Sequence, residues 1–84
     1  MHRSYYKQYY GLERTHWYFL ARNEILMTFV RSLVAGREQL RILNIGIATG
    51  QTSILLSRFG AVTSIEYDGD CVDFLHKQHP ELVV

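Results

Sequence analysis

Residues 41–66, RILNIGIATGQTSILLSRFGAVTSIE, decide the fold. The stretch opens on a short apolar run, Ile42, Leu43 and Ile45, which Gly46 breaks; Gly50 follows four residues later. An apolar helical pattern comes next (Ile54, Leu55, Leu56, Phe59) and stops at Gly60. A second strand-like run, Ala61 to Ile65, ends in an acid, Glu66. Strand, glycine turn, helix, strand and acid, in that order, make the first half of a nucleotide-binding α/β sheet.

A strand inside a parallel sheet is apolar on both faces, and Ile42-Leu43-Asn44-Ile45 nearly is. Asn44 is the polar exception, at the carboxyl end, where ligands of open α/β sheets sit. Gly46 and Gly50 permit backbone angles and close approaches that a Cβ would block. The helix start after Gly50 offers free N–H groups and a positive dipole end to a polar or anionic ligand. Glu66 lies twenty positions past Gly46, the spacing at which an acid on the second strand accepts hydrogen bonds from ribose hydroxyls. The dinucleotide fingerprint G-x-G-x-x-G is not met, because the run reads Gly46-Ile47-Ala48-Thr49-Gly50-Gln51.

The run ILNIGIATG resembles motif I of the class I S-adenosylmethionine-dependent methyltransferases, an apolar pair, Asp, an apolar residue and G-x-G-[TS]-G. Leu43, Gly46, Thr49 and Gly50 match, with small Ala48 in place of the middle glycine and Asn44 in place of the Asp. Upstream, Glu13 to Arg22 (ERTHWYFLAR) resembles the E-x-x-H-W-[WY]-F-x-x-R segment that precedes motif I in one branch of these enzymes. The two segments together are more specific than either alone, and the resemblance covers roughly Tyr10 to Val84. It implies the N-terminal portion of a Rossmann-like class I methyltransferase fold, incomplete beside the family's longer domain. Residues 1–38 would be an N-terminal helical segment, and residues 39–84 a β-α-β-α cofactor-binding unit with a parallel sheet. The implied cofactor is S-adenosylmethionine, held by Asn44, Gly46, Ala48, Thr49, Gly50, Glu66, Tyr67 and Arg22. No catalytic residue and no methyl acceptor is implied.

Two functions follow from different classes. One is a methyltransferase, or its cofactor-binding part, with this chain inactive alone. The other is a non-catalytic, truncated nucleotide-binding module that acts by self-association or by docking on a partner. A two-stranded parallel sheet leaves apolar edges unpaired. The chain is therefore expected to be part of a larger protein or to pair with a second copy. The net charge of +1 gives no electrostatic pull toward nucleic acid or an anionic membrane. No apolar run approaches the ~18 residues of a membrane span, and no signal core precedes the helices. The lone cysteine, Cys71, excludes an intramolecular disulfide and fits a reducing cytosol, so a cytoplasmic location is expected.

Along the chain, a short helix is expected from Ser4 to Tyr10, ending at Gly11. Its tyrosines are read either as an aromatic lid or as rings packed on the next helix with their hydroxyls in water. Thr15 is the expected N-cap of a long helix from His16 to about Ala35. Arg22 either grips a carboxylate or snorkels along the helix and pairs with Glu24 or Glu13. His16 is read as a cap or packing residue and Trp17 as a packing anchor. Strands are expected at Leu40 to Ile45 and Ala61 to Tyr67, with a helix from Gln51 to Arg58 between them, capped by Phe59-Gly60. Asp68 should cap a helix to about Gln78 that Pro80 stops, with Leu82 to Val84 opening a third strand. Tyr67 touches an adenine ring or covers the sheet end. Cys71 reads as a packing residue. His76 and His79, at i and i+3, lack the further ligands that a metal site needs, so none is assigned.

Overall fold

Two helices precede the strands. The computed structural model describes residues 5–84, so the helix start expected at Ser4 lies outside the described residues. Helix α1 is Tyr6–Thr15 and α2 is Trp17–Val34; β1 (Leu40–Ile45), α3 (Gln51–Leu56), β2 (Gly60–Ile65) and α4 (Gly69–Gln78) follow. The strands pair in parallel, from Leu40 opposite Gly60 to Ile45 opposite Ile65. Val83 adds a single parallel bridge to Thr63, and the Ser64 N–H donates to its carbonyl at 2.8 Å. β2 thus lies between β1 and Val83, and of the third strand expected at Leu82 to Val84 the described residues form this one bridge. The chain is a small α/β unit. Among the described residues no helix is long and apolar enough to cross a membrane.

Side chains alternate along each strand, and only one face is covered. Leu40, Ile42 and Asn44 share the inner face with Val62 and Ser64, where Ser53 of α3 bonds both Asn44 and Ser64. Leu56, Cys71 and Leu75 are buried, Leu75 completely. A side chain buried to that degree contributes about 1.5–3 kcal/mol. The opposite face is open: Leu43 is 59% exposed and Ile45 70%. The expectation of a strand buried on both sides is therefore corrected. It assumed cover on a face where the described residues place no helix.

Several boundaries are also corrected. α1 runs through Gly11 to Thr15, and the Thr15 hydroxyl donates back to the Gly11 carbonyl at 2.7 Å instead of capping α2. The cap of α2 is His16, whose Nδ1 accepts the Tyr18 N–H at 3.2 Å. Trp17 is 72% exposed, and its ring meets those of His16 and Tyr18 beside it, so it is not the buried packing anchor expected. α3 ends at Leu56 with Ser57 as its C-cap. Gly60 is instead the first residue of β2. A Cβ there would collide with the Leu40 carbonyl, so strand pairing itself demands glycine. β2 stops at Ile65, which leaves Glu66 and Tyr67 beyond the strand.

Candidate functional site around the glycine bend

The bend from Gly46 to Gly50 leaves β1 and enters α3. It is held by two backbone bonds, Gly46 N–H to the Ile65 carbonyl (2.8 Å) and Gly50 N–H to the Ile47 carbonyl (2.9 Å). Gly46, Ala48 and Gly50 all have positive φ, at 74°, 48° and 85°. Ala48 thus sits where the backbone is left-handed, and its Cβ bears the steric strain.

Glu66 faces this bend. Its Oε1 accepts the Ala48 N–H at 2.9 Å, and its Oε2 accepts the Asp68 N–H at 3.0 Å. The carboxylate thereby ties the bend of β1 to the start of α4. Asp68 caps α4 as expected, its Oδ1 accepting the Asp70 N–H at 3.0 Å and the Cys71 N–H at 3.4 Å. Its Oδ2 accepts the Tyr6 hydroxyl at 2.5 Å. That bond holds the Asp68 carboxyl below the usual carboxylate range, while burial, then the bond to Asp68, pushes the Tyr6 phenol up. Burial likewise raises the thiol of Cys71, which is buried in the packing of α4.

The other side of the bend is held by α1. Glu13 is 2% exposed; its Oε2 accepts the Thr49 hydroxyl at 2.5 Å and its Oε1 the Gln51 N–H at 3.1 Å. The chain's own carboxylate thus occupies the free N–H at the start of α3. Next to it, Arg14 Nη2 donates to the Thr49 carbonyl at 3.0 Å, and its guanidinium stacks 3.5 Å over the Tyr10 ring. The Tyr10 hydroxyl bonds His79 Nε2 at 2.7 Å, and His79 Nδ1 lies 2.9 Å from Glu81. Tyr9 meets Phe19 of α2 edge-on at 5.4 Å, as the packing alternative has it. Tyr6 and Tyr10 dock instead on α4 and its C-cap, with bonded hydroxyls rather than wet ones.

Between α1, α2 and the bend lies an open cleft of about 580 Å³. Arg22, Asn44, Gly46 and Ala48 line it, with an apolar wall of Ile25, Leu26 and Phe29. A Cβ on Gly46 would meet nothing within 4 Å, so the backbone is open there. Arg22 sits 5.1 Å from the Phe19 ring and forms no ion pair with Glu24 or Glu13 among the described residues. Asn44 lines the cleft while its Nδ2 donates to Ser53 Oγ at 3.0 Å.

Other expected site residues are used differently. Thr49 is fully buried and its hydroxyl belongs to Glu13. Gly50 is also buried, with φ 85°, and a Cβ there would stand 2.9 Å from Leu75 Cδ2 and 3.2 Å from Leu82 Cδ1. Glu66 borders the bend but not the cleft. Tyr67 is fully exposed and covers no sheet end. The residue that sequence reasoning missed is Glu13. Its signal was the acid that opens the E-x-x-H-W segment, whose partner lies thirty-six residues away. No group of three or more metal-binding side chains forms among the described residues. No family model, no curated protein and no solved structure matches the chain.

Proposed function

We propose that residues 39–84 form the S-adenosylmethionine-binding unit of a class I methyltransferase, a partial Rossmann-like sheet with the N-terminal helices as its cover. The observation that carries this reading is the Glu66 carboxylate at the bend, 2.9 Å from the Ala48 N–H and beside the open Gly46. A carboxylate that holds one N–H on each oxygen keeps lone pairs for two ribose hydroxyls. Arg22, without an acidic partner among the described residues, suits the cofactor's carboxylate with its two-pronged donor. Asn44, Gly46 and Ala48 would flank the methionine end, and Tyr67 is free to meet the adenine. Thr49 and Gly50 contribute by holding the bend's shape rather than by contact.

Bound there, S-adenosylmethionine supplies a sulfonium-activated methyl group. The chain's own residues contribute alignment, the main requirement of such a transfer. The free Cys71 fits the cytoplasm as the setting. Isothermal titration with S-adenosylhomocysteine tests the reading. Weak binding is expected, because the cleft is open, and Glu66→Ala should weaken it at least about tenfold, the equivalent of one lost hydrogen bond to a charged group. Equal affinity in Glu66→Ala would remove the ribose assignment.

One observation favours a second reading, a non-catalytic module. Large apolar side chains stand exposed on α2 and on one sheet face, as in a surface built for association. No heat with millimolar S-adenosylmethionine or S-adenosylhomocysteine would leave that reading for this chain.

A further inference from the structure

Two apolar surfaces lack cover among the described residues, and they are opposite in kind. The first is the outer sheet face, where Leu43, Ile45 and Ile65 are 59%, 70% and 49% exposed. Ile45 and Ile65 are register partners, so the three form one patch. The second is a stripe on α2 at i, i+4 and i+8, in which Ile25, Phe29 and Leu33 are 72%, 63% and 59% exposed. A parallel sheet is ordinarily covered by helices on both faces, and an apolar helix stripe ordinarily lies on a sheet or another helix. Each copy of the chain therefore carries both the uncovered face and a helix able to cover one.

We propose that the chain forms a two-fold dimer in which α2 of each copy docks on the open sheet face of the other. A two-fold axis makes the contact reciprocal, so each stripe and each face is satisfied once and the assembly closes. With flanking atoms, the six side chains amount to on the order of 600–800 Å² per copy, near what each partner of a stable complex contributes. Ile25 and Phe29 also line the cleft, so the docked face of the second copy would border it. The dimer goes beyond the cofactor reading and does not depend on Glu66.

Size-exclusion chromatography with light scattering tests it, using Phe29→Lys and Ile45→Glu. The wild type is expected at twice the 9.8 kDa chain mass. Each variant alone places a charge in both reciprocal contacts and is expected to run as a monomer. An equimolar mixture is expected to return to the dimer mass. In the mixed pair one contact sets the introduced lysine of one copy against the introduced glutamate of the other, and the second contact is wild type. Both positions are exposed, and circular dichroism checks that each variant folds; Leu33→Lys with Leu43→Glu serves as a second pair. A monomeric wild type, an open ladder of larger species, variants that stay dimeric, or a mixture that stays monomeric would each overturn the proposal.

Discussion

The Glu13 carboxylate on α1 holds the Thr49 hydroxyl at 2.5 Å and the Gln51 N–H at 3.1 Å, which fastens the first helix to the glycine bend. Both Glu13 and Thr49 are buried, so removing one partner strands the other away from water. Glu13→Ala is expected to cost about 2–3 kcal/mol, the range for losing charge-assisted bonds with a buried group left unpaired. Urea unfolding of Glu13→Ala, Thr49→Val and the double variant gives the coupling. A purely additive double variant would mean that the contact carries no stability.

Ala48 has φ 48°, a left-handed backbone that strains any residue with a Cβ. Ala48→Gly relieves that strain and loosens the unfolded chain, and the two effects oppose. The net expectation is a gain of about 0.5–1 kcal/mol, read as a higher unfolding midpoint. A loss of stability would contradict the strained-bend description.

Gly50 and Gly46 share positive φ but not their surroundings. Gly50→Ala sets a methyl 2.9 Å from Leu75 Cδ2, so strain and overpacking combine to about 2–4 kcal/mol. Gly46→Ala meets open space and should cost only the backbone strain, about 1–2 kcal/mol. Thermal unfolding of the two variants should keep that order.

Stability should also depend on pH through Tyr6 and Asp68. The Asp68 carboxyl is lowered from its ordinary 3.8 by the Tyr6 hydroxyl, so the stability it gives is present above that range and is lost as pH falls below it. The Tyr6 phenol is raised from its ordinary 10.0, so its contribution is present below that value and is lost as pH climbs past it. Tyr6→Phe is expected to flatten the acid limb of a stability-against-pH profile. An unchanged limb would mean that the bond does not bear on folding.

The features legible in the sequence are those made by neighbouring residues. Gly46 and Gly50 mark the bend, and Asp68 and Pro80 bracket α4, because caps and breakers act within a turn or two. The parallel strands followed from two apolar runs separated by a helical pattern. Local chemistry was also where reading failed at Thr15, since its hydroxyl had two backbone suitors and took the Gly11 carbonyl, which left the cap to His16. Gly11 stops nothing because α1 is held by distant contacts of Tyr6, Tyr10 and Glu13. The role of Glu13 and the burial of Thr49 and Gly50 come from contacts between α1, the bend and α4, which no local window contains. The bareness of Leu43 and Ile45 depends on which layer lies above them, and strand pattern alone does not say.

The bend and Glu66 together are proposed to receive the adenosyl ribose, and an amide-resolved NMR titration with S-adenosylhomocysteine reads that most directly. Shifts centred on the Gly46, Ala48 and Asp68 amides, and lost in Glu66→Ala, are the predicted result. Shifts scattered elsewhere on the chain, or the same shifts without the Glu66 carboxylate, would contradict it.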